Sequence, residues 1–184
     1  MEISHSFEKA KIEKNANYLK PTPVNDALKF KTDGFTSLVE ALDYAADGKS
    51  GLNFYSHRGD LETVLTYREL RARARELASR LQGLGCKRGD RVGIVAETSP
   101  MFHHFFFASL YAGLVPVALP AGVQLGAREA YVNQVRRMLE GCCASIAVAG
   151  SSHAPFLEEA SQGLDLLMAG THEDFDALPE SDQA

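Results

Sequence analysis

Cysteine is scarce in this chain of 184 residues: Cys86, Cys142 and Cys143 are all it contains. The number is odd, two are adjacent, and no Cys-x-x-Cys pair occurs. Neither a zinc site nor a redox motif is supported, and reduced thiols are expected. Basic clusters are missing as well. Nineteen Lys and Arg stand against 24 Asp and Glu, a formal net charge of -5. No Lys/Arg block appears, which removes the footprint that nucleic-acid binding needs. No apolar run reaches the roughly 18 residues of a membrane span. Met1 to Lys20 is polar and mixed in charge, without a secretory apolar core. A cytoplasmic protein is expected.

What is present is ordinary globular material, 45% hydrophobic and 23% charged. A chain of this size can bury about 70% of its unfolded surface, enough for one core. Residues 1–34 are weakly periodic and carry Pro21 and Pro23. They read as a flexible arm with a short helix over Phe7–Tyr18. Order begins at Phe35. Ser37 and Glu40 form a capping-box pattern for a helix through Ala46. Leu52–Tyr55 and Leu61–Thr66 read as strands joined by a turn at Ser56–Asp60, a hairpin. Thr66 and Glu69 form a second capping box, opening a helix to about Leu84. Leu70, Ala74, Leu77, Ala78 and Leu81 mark its buried face. Arg68, Arg71, Arg73 and Arg75 could suggest a phosphate site, but their interleaving with apolar positions favours a solvated face.

From Arg91 the pattern alternates. Arg91–Ala96 is a short apolar strand. Ser99 with Pro100 starts a helix to Ala112, apolar nearly all round and so buried on most sides. Val115–Leu119 is a strand. Ala127–Gly141 is a helix with Tyr131, Val135, Met138 and Leu139 on one face. Ser145–Ala149 is a strand, Pro155–Ser161 a short helix, and Leu164–Met168 a last strand. The acidic tail from His172 supplies no closing element. Such alternation predicts an α/β fold with a largely parallel sheet and right-handed crossovers, preceded by a helix, a hairpin and a long helix.

Candidate chemistry is thin. Gly83, Gly85 and Gly89 follow a helix and precede a strand, the reverse of a dinucleotide loop, and read as a helix stop and turn. Gly122 and Gly126 lie between a strand and a helix, where backbone amides can hold an anion. They are weak candidates for cofactor binding: Gly-Lys-Ser/Thr is absent, and Glu129 already complements the helix dipole. His103 and His104 are neighbours on a helix, about 100° apart, and cannot chelate one metal together. A structural or partly exposed role is expected for them. Ser109 lacks a Gly-x-Ser-x-Gly context. No metal site is expected.

Several segments taken in order resemble one family. They are Phe35-Thr36-Ser37-Leu38-Val39-Glu40-Ala41-Leu42, then Leu65-Thr66-Tyr67-Arg68-Glu69-Leu70, then Gly89-Asp90-Arg91-Val92. After these come Glu97-Thr98-Ser99-Pro100 with Phe102, Phe105 and Phe106, and Tyr111-Ala112-Gly113-Leu114-Val115-Pro116-Val117. Together they resemble the first part of the adenylation domain in adenylate-forming enzymes. The opening segment, with Gly126-Ala127-Arg128-Glu129-Ala130-Tyr131 and Gln134-Val135-Arg136-Arg137-Met138-Leu139, narrows the resemblance to the N-terminal part of fatty acyl-AMP ligases. It is clear over Phe35 to Ala149 and fades toward Ala184.

The resemblance implies that residues 35–184 are an incomplete AMP-binding domain. In the intact family a fatty acid is activated with ATP and Mg2+ to acyl-AMP. Many members pass the acyl group to an acyl carrier protein in lipid, polyketide or lipopeptide biosynthesis. The phosphate loop ending Pro-Lys-Gly and the mobile C-terminal lysine of the family are expected beyond Ala184. No catalytic residue is therefore assigned within the chain. By itself it is expected to be inactive, to bind no cofactor tightly, and to self-associate through apolar surface that the rest of the domain would cover. Three alternatives stand beside this reading. They are a non-catalytic module that binds a carrier protein or sister ligase, an acyl-CoA synthetase fragment, and a small-ligand domain built on the Gly122–Gly126 loop.

Overall fold

The structure is a computed structural model that describes residues 28–31, 33–122 and 128–181. The chain divides between Thr32 and Asp33 into two units, and all the described helices and strands belong to the second, Asp33–Ala184. The helix expected over Phe7–Tyr18 lies outside the described residues.

Helix α1 (Leu38–Ala45) is capped by Ser37, whose side chain accepts from the Glu40 amide. The Glu40 carboxylate in turn accepts from the Thr36 amide at 2.8 Å. Strands β1 (Gly51–Tyr55) and β2 (Leu61–Thr66) pair antiparallel. At their turn the Ser56 amide donates to the Asp60 carbonyl, and Gly59 takes a positive φ of 86° that a side chain would resist. Helix α2 (Tyr67–Gly83) opens with the full Thr66/Glu69 capping box. Its buried residues are the five expected from spacing: Leu70, Ala74, Leu77, Ala78 and Leu81.

Beyond α2 lie β3 (Arg91–Val95), α3 (Pro100–Tyr111), β4 (Val115–Leu119), α4 (Arg128–Gly141), β5 (Ala144–Ala149), α5 (Ala154–Ser161), β6 (Met168–Thr171) and α6 (His172–Asp176). The four later strands form a parallel sheet in the order β4-β3-β5-β6. Two layers of helix cover it, and the pleat sorts the contacts with a period of two. Val92, Ile94, Ile146 and Val148 face a core with Leu77 and Leu81 of α2, Phe105 of α3 and Phe175 of α6. Val95, Ala147 and Ala149 face the opposite core, with Val135 and Leu139 of α4 and Leu157 of α5. A third, smaller core joins Leu42, Phe54, Leu65 and Leu70 under the hairpin. The α/β architecture expected from alternation is therefore the one present.

Two expectations are corrected. The last strand is not Leu164–Met168 but Met168–Thr171. Leu164 and Leu166 are instead apolar residues of the connection, packed on the α4/α5 core. The tail also supplies a closing element after all. Thr171 and Asp174 form a capping box for α6, and Phe175 is completely buried. The arginines of α2 hold this tail. Arg73 pairs with Asp176, and Arg80 donates to the carbonyls of Asp176 (2.7 Å) and Leu178. Arg71 contacts the Asp43 carbonyl, and Arg75 lies 5.4 Å from the Tyr111 ring. The arginine face is thus partly an inter-element clamp, with Arg68 left exposed.

Candidate functional site

In this sheet the chain leaves β3 toward β4 on one side and leaves β5 toward β6 on the other. The adjacent strands β3 and β5 therefore mark a topological switch point. In open α/β sheets the crevice beyond the carboxyl ends of such strands is where ligands bind. Here the residues at those ends are Glu97 after β3, Pro120–Gly122 after β4, and Gly150–His153 after β5.

They are joined by one side chain. His153 Nδ1 lies 2.9 Å from Glu97 Oε1, and its Nε2 lies 2.6 Å from the Ala121 carbonyl oxygen. Ser152 Oγ donates to the same Glu97 oxygen at 2.9 Å and sits 2.9 Å from His153 Nδ1. The site is half closed to water: the His153 side chain is 14% exposed and that of Glu97 25%. Gly150 is required for the approach, because a Cβ there would overlap Glu97 Oε2. Tyr131 of α4 closes the other side, its hydroxyl donating to the Pro120 carbonyl at 2.7 Å. Burial first, then the charge of Glu97, pushes the Tyr131 phenol up, so it remains a neutral donor.

Ser, His and Glu in contact suggest a nucleophile relay, but the geometry forbids one. A relay needs serine on one ring nitrogen and the acid on the other. Here Ser152 and Glu97 share Nδ1, while Nε2 is taken by a backbone carbonyl. The arrangement can hold three strand ends in place; it cannot activate Ser152.

Sequence reasoning missed Ser152 and His153, and met Glu97 only within a family-like segment. A signal existed: all three closely follow apolar runs that become parallel strands. Of the glycines singled out for anion binding, Gly126 lies outside the described residues. Gly122 has open space where a Cβ would stand, on the lip of the crevice. Gly85 and Gly89 both have φ of 88°, in keeping with a turn rather than a nucleotide loop. The Ser109 hydroxyl donates to the Phe105 carbonyl of its own helix at 2.7 Å.

A second cluster lies on the other face of the sheet, around a cavity of about 380 Å³. Arg73, Met101, His104, Phe105, His172 and Asp176 are among its lining residues. His103 and His104 diverge as expected. His103 Nδ1 meets the Ser99 carbonyl at 3.0 Å, whereas His104 Nε2 is buried without a partner among the described residues. Burial, reinforced by Arg73 and His103, pushes the His104 imidazole down to about 4. The cysteines are free. Burial pushes the Cys86 thiol up to about 11 and also raises Cys142, so neither is primed as a nucleophile. Among the described residues no group of three or more His, Cys, Asp or Glu could hold a metal ion. Among the same residues no helix is long and apolar enough to cross a membrane.

Comparison with known proteins gives this arrangement a family. A family model described as AMP-binding enzyme matches residues 45–182. A Caulobacter vibrioides protein, described provisionally as an acyl-CoA synthetase, is 38% identical over 162 residues, covering 88% of this chain and 27% of that protein. A long-chain-fatty-acid–CoA ligase of Salmonella typhimurium is 32% identical over 101 residues, 54% of this chain and 18% of its own length. Among solved structures, a fatty acyl-adenylate ligase from work on the E. coli and L. pneumophila enzymes is 41% identical. It superposes with a TM-score of 0.74 over 82% of this chain and 27% of that one. The chain therefore spans about a quarter of the length of such relatives. Sheet order, crossover helices and the match over residues 45–182 together show that the chain belongs to the AMP-binding enzyme family of adenylate-forming, acyl-CoA synthetase-like ligases.

Proposed function

We propose that this chain is the opening part of a ligase that activates a fatty acid with ATP and hands the acyl group to an acyl carrier protein in the cytoplasm. The observation that carries this reading is the 41% identity and TM-score of 0.74 with a fatty acyl-adenylate ligase. In the reaction the fatty carboxylate attacks the α-phosphate of ATP. The bond to the β-phosphate breaks, and acyl-AMP and pyrophosphate result. Magnesium, held by other parts of the ligase, would offset charge on the phosphates. The residues in hand serve as scaffold: they build the sheet, carry the crossovers and shape the lip of the crevice.

The surface supports a larger domain around this scaffold. Among the described residues, strands β4 and β6 end the sheet with one side of each unpaired. Val115 at the start of β4 and Leu167 just before β6 are 46% and 54% exposed. On this reading the isolated chain is inactive, and its uncovered edges and apolar residues make it prone to self-association.

A second reading, a coenzyme A ligase, is favoured by the 38% identity with the Caulobacter protein. One experiment separates them. The genomic frame is followed through the codon for Ala184 and the encoded protein is expressed whole. Fatty-acid-dependent ATP–pyrophosphate exchange is then measured, followed by transfer to holo-acyl carrier protein or to coenzyme A. Exchange with fatty acids and acylation of the carrier thiol are expected. Acyl-CoA as the sole product would establish the second reading, and absence of exchange would overturn both.

A further inference from the structure

We infer that His153 is a positioning residue which, by donating from both ring nitrogens, ties the exits of β3, β4 and β5 together and sets the lip of the crevice at Ala121–Gly122. The two partners dictate the protonation. A carboxylate has no proton to give, and a backbone carbonyl never has one. His153 Nδ1 faces Glu97 Oε1 at 2.9 Å and Nε2 faces the Ala121 oxygen at 2.6 Å. A ring that makes both contacts therefore carries both protons. A singly protonated ring would set one lone pair against an oxygen lone pair, and one end of the clamp would open.

The surroundings are built for this clamp. Ser152 gives Glu97 a second donor, which holds the carboxylate in line. Gly150 leaves the space in which the carboxylate lies. The Tyr131 and Phe156 rings stand 6.1 and 6.3 Å from the imidazole and shield it. Tyr131 also holds Pro120, so the β4 exit is gripped at two successive carbonyls, Pro120 and Ala121. His153 occupies the N-cap of α5 but makes no side-chain cap hydrogen bond there. An ordinary capping role is therefore unfilled while its side chain spans the switch point.

The effect on turnover rests on the proposed ligase reading; the clamp itself does not. Two measurements test them separately. The first is ring 15N NMR of the histidine-labelled whole protein. It is expected to show His153 with both nitrogens protonated, and Glu97→Gln is expected to abolish that signature. A singly protonated His153 ring in the folded protein would overturn the clamp.

The second is pyrophosphate-exchange kinetics of His153→Gln, whose side chain offers only one donor nitrogen. A rise of roughly tenfold in KM with kcat within about twofold is expected, because the lip shifts while the reacting groups stay intact. An unchanged KM, or an equal loss in kcat, would overturn the positioning role. If the wild-type protein shows no exchange, the ligase reading fails, and the NMR result alone decides the clamp.

Discussion

Phe105 of α3 and Phe175 of α6 meet edge to face, with ring centroids 5.3 Å apart and planes at 76°. Both are buried to 1% exposure or less. This pair fastens the acidic tail to the core on the α2/α3 side of the sheet. Phe175→Ala would remove a fully buried ring and leave a cavity. A loss of about 3–5 kcal/mol is expected in urea unfolding. A loss under about 1 kcal/mol would mean that α6 is not docked as described.

His104 makes stability depend on acid. Its folded value near 4 lies below the ordinary 6.5, through burial first and then Arg73 and His103, with Asp176 opposing. Above about pH 6.5 the ring is neutral folded and unfolded, and contributes no slope. Between 6.5 and 4 only the unfolded chain takes up the proton, so stability falls as pH falls. His104→Leu is expected to flatten this part of the pH–stability curve, read from urea midpoints between about pH 7 and 4.5. An unchanged slope would show that the ring is solvated.

Cys143 is a non-glycine residue in left-handed backbone, with φ of 47°, just past the end of α4. Glycine is the usual occupant of such a helix-terminating position. The Cys143 side chain is exposed, so little contact is lost on removing it. Cys143→Gly is expected to stabilise the protein by about 0.5–1 kcal/mol, the relief of strain less the added chain entropy. Thermal unfolding of the two proteins side by side checks the sign.

Gly51 lies opposite Thr66 in the hairpin register. A Cβ there would overlap the Leu65 carbonyl oxygen and stand 2.6 Å from Thr66 Cα. Those neighbours are backbone and cannot swing aside. Gly51→Ala is expected to cost about 1–3 kcal/mol and to raise amide exchange near the β1–β2 end. Full retention of stability would mean that this end of the hairpin is loose.

Much of the fold was legible in the chain, and the residues say why. The buried face of α2 followed from helical spacing alone. The caps at Ser37, Thr66 and Ser99 followed from side chains that bond to amides two or three residues away. Tyr67, directly after Thr66, starts its helix where the capping box says it should. The tail was misread because His172–Asp176 is acidic and short, with one apolar residue. Its helix depends on the Phe175 ring buried against Phe105, a partner far back in the sequence. The last strand was displaced by the leucines before it, whose burial is against α4 and α5 rather than in the sheet.

The site was scarcely legible at all. Glu97 and His153 are 56 residues apart, and neither spacing nor residue type links them. What brings them together is the strand order, in which β5 returns across β3 after β4 has been laid on the other side. The sequence by itself determined the elements, their caps, their apolar faces and the α/β class, because these depend on periodicity and on bonds between near neighbours. Only the tertiary structure decided that Glu97, Ala121 and His153 share a crevice, that Arg73 and Arg80 grip the tail, and that His104 Nε2 is buried. Those relations arise where chain segments meet across the sheet, and hydrophobic packing, which ignores sequence distance, selects the meeting.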